Sequence, residues 1–404
     1  MKGFDMVNEI PVPQYILNGF EQVIIHPDSL DSAVAQRVLK YFPKEKIKIS
    51  ADEPFANLQN KMAAKSHKGS LTKEQFDHSK KILMVKKFEG YFFKRCPGAH
   101  QQKALTCCNY FVLNLGQQCN FNCSYCYLQS YLNSPIMYVF SNIDQALEEL
   151  ANVANEHPDL PYRVGTGEVT DSLSIDELTL YSRQLISFFK KYPKWILEFK
   201  TKSDYVEQFL DCEHAGNIVV SWSINAEEIV NSEEHLTASL TARLQAARRC
   251  KDHGFQVAFH IDPLIHHPNW QQGYANLVAQ VCELFRPEEV QVISLGTLRF
   301  QPEQRHLMRE RFGMNSYVTK GELFLSEGGK MRYDTSVRQD MYNFVLQAFK
   351  VRSPDWKVFL CMETPENWIE SLESTPMQIP TLRDFFRPLP KISHEKNHEK
   401  IHEH

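Results

Sequence analysis

Three cysteines, Cys119, Cys123 and Cys126, lie in the stretch LGQQCNFNCSYCYLQSY at 115–131. Thiolates hold iron–sulfur clusters, and most clusters take four. A C-x3-C-x2-C run on one loop supplies three, so one iron of a 4Fe–4S cube keeps no protein ligand. That iron can accept a small molecule bearing an amine and a carboxylate, much as a catalytic zinc keeps one coordination position open. A structural zinc site would want a fourth Cys or His at short range, and the chain has no second C-x2-C. The cluster reading is therefore preferred over zinc and over chance grouping of ten cysteines.

The elements that must position such a loop are legible as periodicity. From about residue 109, short apolar segments rich in branched and aromatic residues recur at 110–115, 162–166, 195–201, 218–225, 256–265 and 290–298. Helical spacing fills 143–156, 175–192, 239–253, 269–285 and 302–311. Six strands in sequence, mostly alternating with helical segments, imply a parallel sheet. Right-handed crossovers curl such units into an open, partial barrel as readily as a doubly wound sheet. The expected fold class is α/β, a partial (β/α)6 barrel of parallel strands with N- and C-terminal extensions. In either arrangement chemistry belongs at the C-terminal ends of the strands, and the triad follows the first of them.

The rest of the chain divides around that core. Residues 1–105 carry 17 Lys and Arg against 11 Asp and Glu, a net +6, while the remaining 299 carry 28 against 38, a net −10. The basic N-terminal region, expected as a small domain with a helix near 30–41 and a lysine-rich 56–87, is a candidate phosphate-binding surface or a solvated face. Residues 106–300 form the core and 301–392 an α/β extension with a helix at 337–349 and a strand at 358–362. The His-rich tail at 393–404, with His394, His398 and His402, reads as disordered. No apolar run approaches the length that spans a bilayer, so a cytoplasmic location is expected, with clustered thiols in a reducing compartment.

The triad with an aromatic residue before its third cysteine resembles the radical S-adenosylmethionine superfamily, and the continuation CYLQ resembles the spore photoproduct lyase family within it. That resemblance implies a 4Fe–4S cluster and S-adenosyl-L-methionine as cofactors. It also implies reductive cleavage to a 5′-deoxyadenosyl radical, a thymine-adduct DNA substrate and a reducing partner such as flavodoxin or ferredoxin. Gly165-Thr166-Gly167-Glu168 matches a segment that holds the methionine ammonium. Its glycines would admit the cofactor and its carboxylate accept from the amine. Lys202 and Ser223, at the ends of the third and fourth strands, match contacts to the methionine carboxylate or ribose. Arg299 is a candidate for a cofactor or substrate phosphate, or for an ion pair. Asp262-Pro263, Trp270 and Gly273-Tyr274 look like scaffold. Tyr125 and Tyr127 occupy the places of tyrosines that relay hydrogen.

One departure is chemical. The family's hydrogen-donating cysteine falls in the stretch GTGEVTD, about where this chain has Glu168, and no cysteine lies between Cys126 and Cys212. A carboxyl O–H bond is far stronger than a thiol S–H, so the thymine repair cycle does not transfer intact. Cys96, Cys107, Cys108 and Cys361 are the remaining candidates for a donor or a second metal site. Cys212, Cys250 and Cys282 read as packing.

Overall fold

The structure, a computed structural model, describes residues 10–55, 71–97, 105–132, 134–326, 328–390 and 392. The tail at 393–404 lies outside them.

Two sheets organise the molecule. The larger follows chain order across β4 (Phe93–Arg95), β5 (Phe111–Leu113), β9 (Arg163–Gly165), β10 (Ile196–Thr201), β11 (Ile218–Ser223), β13 (Gln256–Leu264), β14 (Val290–Thr297) and β18 (Val358–Leu360). All pairs are parallel except β4 with β5. The six expected strands are present, and the short strand near 358 joins them as a seventh parallel member. Because the order never reverses, the sheet has no topological switch point and is not doubly wound. It does not close into a barrel, and β4 and β18 are its edges.

The smaller sheet runs β2 (Ile47–Ile49), β1 (Gln22–Ile25), β3 (Ile82–Lys86), β8 (Met137–Phe140) and β6 (Gly116–Gln117). Its first four strands are parallel and β6 is antiparallel. It draws β6 and β8 from within 106–300. The chain therefore leaves the large sheet after β5, adds β6 to the small one, and only then forms the cysteine loop. The loop sits where the two sheets meet.

The faces of the large sheet differ. On one, helices Tyr181–Phe189, Leu240–Asp252, Trp270–Leu284 and Thr335–Arg352 bury Leu185, Leu244, Leu277 and Val345. The other carries buried polar groups: Arg163, Glu198, Ser221 and Ser294. A parallel sheet covered on both sides normally reads as apolar throughout. Buried polar groups on one face cost free energy unless partnered, and they mark the side where chemistry belongs. The helix expected at 175–192 is broken at Leu180, whose φ of 51° divides Asp176–Thr179 from Tyr181–Phe189.

Candidate active site

The cysteine loop is clamped from every side by groups remote in sequence. Asn122–Cys123 forms a short strand, β7, antiparallel to β12 (Glu234–His235), with Cys123 opposite Glu234. The Ser124 amide donates to the Glu233 carbonyl at 2.8 Å and its hydroxyl to the Glu233 carboxylate. Lys80 Nζ donates to the carbonyls of Cys119, at 2.7 Å, and Phe121. On the far side Gln304 Nε2 reaches the carbonyls of Tyr125 (3.2 Å) and Cys126 (3.0 Å). Arg311 holds Gln129 at 3.1 Å. These bonds satisfy loop carbonyls that would otherwise be orphaned in a partly buried place.

The three thiols suit a cluster better than a single ion. Among the described residues no three His, Cys, Asp or Glu groups converge as one metal ion requires. Three thiols spread along one loop are the donor set of an incompletely ligated cube. The Phe121 amide aims at the Cys119 sulfur at 3.4 Å. Burial pushes the thiols of Cys119 and Cys123 up to about 12, and coordination to a cation reverses that cost by deprotonating them.

Beside the triad lies a buried charge cluster. Glu234 and Arg243 pair at 2.6 Å with fully buried side chains, and Arg243 also donates to the Ser223 carbonyl at 2.9 Å. Tyr125 donates its hydroxyl to Glu234, and Lys202 Nζ lies 5.5 Å from the centre of the Tyr125 ring. Burial raises the Glu234 carboxyl, but Arg243 and Lys202 outweigh it and hold the group below its ordinary value. Burial opposes the charge of Lys202, yet Cys123 and Glu234 nearby raise its pKa. Lys202 and Tyr125 thus gather beside Cys123, and Arg243 ties the strand end at Ser223 to Glu234 opposite it.

The GTGE segment closes β9, and its glycines are required by packing within the chain. A Cβ on Gly165 would fall 1.7 Å from the Tyr110 hydroxyl, and one on Gly167 would fall 2.9 Å from Lys200 Cβ. Asp171 anchors the loop. Its Oδ1 accepts from the amides of Leu173 (3.0 Å) and Ser174 (2.9 Å) and from Thr201 Oγ1 (2.6 Å). Its Oδ2 accepts from the Lys202 amide at 2.8 Å. Sequence reading passed over this residue, although an aspartate accepting from amides two and three positions on is a familiar turn signal. Glu233, Glu234, Arg243, Lys80, Gln304 and Arg311 were also missed, and no local pattern announces them.

Glu168 is left nearly alone. Its backbone carbonyl accepts from the Tyr127 hydroxyl. Its carboxylate is largely buried, has Lys94 Nζ at 3.8 Å, and leaves Oε2 without a hydrogen bond. Burial raises its pKa, with Lys94 opposing. Arg299 is not brought to the triad. It grips Asp262 with two 2.9 Å bonds, NH1 to Oδ1 and NH2 to Oδ2, and sits 3.9 Å from the Cys361 sulfur. This ion pair is largely buried. Tyr274 behaves as scaffold, accepting from the Ile265 amide at 2.6 Å and donating to Asn225 at 2.9 Å.

The comparisons with known proteins agree. A family model described as spore photoproduct lyase matches residues 19–340. The spore photoproduct lyase of Geobacillus sp. (strain Y412MC61) is 30% identical over 203 residues, 50% of this chain and 57% of that protein. The Bacillus subtilis (strain 168) enzyme is 28% identical over 168 residues, 41% and 49%. The chain thus matches about half the length of these two. The Clostridium acetobutylicum protein of the same name is 23% identical over 339 residues, 81% of this chain and 95% of that one. A solved mutant spore photoproduct lyase with bound AdoMet and dinucleoside spore photoproduct superposes with a TM-score of 0.70 at 22% identity. It covers 84% of this chain and 98% of its own. Among the described residues no helix is long and apolar enough to cross a membrane.

Proposed function

The chain belongs to the spore photoproduct lyase family, and from that premise we propose that it is a radical S-adenosylmethionine lyase acting on a thymine-dimer-type lesion in DNA. The observation that carries this reading is the cysteine loop, fixed between two sheets with the Lys202 ammonium 5.5 Å from the Tyr125 ring and in the electrostatic reach of Cys123. In this reading Cys119, Cys123 and Cys126 hold a 4Fe–4S cluster. When bound, the cluster and S-adenosylmethionine supply the one-electron chemistry that yields a 5′-deoxyadenosyl radical. Glu168, whose Oε2 makes no hydrogen bond and has only Lys94 at 3.8 Å, accepts from the methionine ammonium. Lys202 and Ser223 face the carboxylate or ribose. Tyr125 and Tyr127 stand as hydrogen relays at the triad.

The remaining assignments follow the same reading. The large sheet curls as a partial barrel. Support comes from the bridge of Thr106, just before β5, to Glu363, just after β18, with a 2.8 Å bond from the Thr106 amide. Residues 1–105, 106–300 and 301–392 act as N-terminal region, radical core and extension. The basic N-terminal region offers a DNA-backbone contact, a flavodoxin or ferredoxin supplies the electron, and the location is cytoplasmic. Arg299, committed to Asp262, contacts a phosphate only if that pair opens.

A second reading keeps the radical chemistry and replaces the DNA lesion with another substrate. Glu168 favours it, because a carboxylic acid stands about where the relatives place their hydrogen-donating thiol.

Anaerobic reconstitution tests the core of both readings. About four irons per chain are expected, with reductive formation of 5′-deoxyadenosine. An intact cluster that yields none overturns both. Conversion of a dinucleotide carrying the thymine adduct separates the first reading from the second.

A further inference from the structure

The N-terminal region reaches into the cysteine loop through one short helix. Helix Lys73–Ser79 starts at a capping box, in which Thr72 accepts from the Gln75 amide and the Gln75 side chain from the Thr72 amide. It ends at Lys80, whose amide bonds back to the Phe76 carbonyl at 3.2 Å. Lys80 Nζ lies 5.5 Å from the centre of the Phe76 ring and donates to the carbonyls of Cys119, at 2.7 Å, and Phe121. The Arg311 guanidinium lies 3.7 Å from the centre of the same ring and bonds to Gln129, just past Cys126. The buried Phe76 therefore carries two cations, one bonded at each end of the cysteine-bearing stretch.

Lys80 differs from the lysines near it in sequence. Lys73 pairs with Asp77 at 2.5 Å and Lys81 with Glu21 at 2.7 Å. Among the described residues Lys80 has no carboxylate partner, and the two carbonyls it holds carry no net charge. Lys80 is half-buried, so its field is screened less than that of an exposed lysine. A loop that only had to be held could use a neutral donor, as Gln304 does at the Tyr125 and Cys126 carbonyls. The carbonyls that Lys80 grips also flank a contact to sulfur, since the Phe121 amide aims at Cys119 Sγ at 3.4 Å.

We propose that Lys80 is a positioning residue whose charge makes the cluster on Cys119, Cys123 and Cys126 easier to reduce. This rests on the cluster proposed above. Reduction by the partner protein adds one negative charge to a site that already holds three thiolates. A cation bonded to the backbone of Cys119 favours that more negative state. Net charge and hydrogen bonds to the sulfurs are two of the levers that set an iron–sulfur potential. Lys80 acts on the first directly and on the second by fixing the Phe121 peptide. The N-terminal region is then part of the electron-accepting site as well as the proposed DNA contact.

Two measurements decide it. In the reconstituted protein, a mediated redox titration read by electron paramagnetic resonance gives the cluster midpoint. Lys80→Met is expected to make reduction about tenfold less favourable, a shift of about 59 mV to lower potential for one electron. Lys80→Gln, which keeps a polar donor without the charge, should shift the same way. Lys80→Arg should restore the midpoint, and Lys81→Met should leave it unchanged. A midpoint that stays put in both Lys80→Met and Lys80→Gln overturns the proposal. In the metal-free protein, hydrogen exchange read by mass spectrometry is expected to rise across residues 119–126 in Lys80→Met but not in Lys80→Arg. Unchanged exchange there overturns the positioning role, and so does a rise throughout the chain, which would make Lys80 a residue of general stability. If the unsubstituted protein binds no cluster, the reading beneath fails and the exchange result alone judges the hold of Lys80 on the loop.

Discussion

The cysteine loop and the Glu168 loop both sit at the C-terminal ends of parallel strands, yet they are built to different standards. Around the triad, Lys80, Glu233, Gln304 and Arg311 each meet a partner on or beside the loop. On the other loop Asp171 is bonded through both oxygens, but three residues earlier Glu168 keeps a buried oxygen with no bond. A fully partnered loop holds its donors in place before anything binds. A buried carboxylate oxygen with no hydrogen bond and only a long ion pair costs stability and is retained where a ligand supplies the missing hydrogen bond. The difference separates a rigid end, where radical generation is proposed, from a more open side, where the methionine ammonium is proposed to bind.

The largest effect should come from the rigid end. Cys123→Ala removes one of the three proposed ligands and is expected to abolish both iron retention after reconstitution and 5′-deoxyadenosine formation. Elemental analysis and chromatography check this, and retained cleavage would sink the triad assignment. Next is Glu234→Ala, which strands the buried Arg243 charge and should destabilise the fold by about 3–5 kcal/mol in denaturant unfolding. A loss below 1 kcal/mol would mean that the charge cluster is hydrated and the loop less fixed than the geometry indicates.

The contrast between the two loops also shows what was legible in the sequence. The triad, the GTGE turn and the six strands could be read because their signals are local: spacing, strand length and position at a strand end. Glu234 could not, since it lies 109 residues from its partner Tyr125 and sits in an ordinary acidic helix end. The small sheet was hidden for another reason. Its central strand ILMVK at Ile82–Lys86 is buried at four of five positions but short, and lysines flank it, so composition over a wider window reads as solvated. Arg299 was visible as a candidate, but its partner Asp262 lies on a neighbouring strand. Only the strand register decides whether such an arginine is spent on an ion pair.

The open side gives smaller effects. Glu168→Gln removes the charge proposed to receive the methionine ammonium. It should weaken S-adenosylmethionine binding to the cluster-loaded protein by about 1.5–3 kcal/mol, the range of hydrogen bonds to charged groups. Titration calorimetry reads this directly. Unchanged affinity would return Glu168 to a structural role and leave the ammonium to another acceptor.

The smallest effect belongs to Lys94, 3.8 Å from Glu168 and about a third exposed. Burial raises the Glu168 pKa and Lys94 restrains it. A carboxyl whose folded pKa is raised binds its proton more tightly in the folded state. Stability therefore falls as pH climbs from the unfolded value of 4.5 through the raised folded value. Lys94→Gln lifts the restraint, so that fall should extend to higher pH, while the loss at neutral pH stays within about 1 kcal/mol because the lysine is partly solvated. Urea unfolding at a series of pH values, compared with Glu168→Gln, isolates the contribution. In the glutamine variant this part of the pH dependence should vanish, and adding Lys94→Gln to it should change nothing further. A pH profile identical in all the proteins would show that Glu168 is already hydrated, and the contrast between the two loops would then lose its energetic basis.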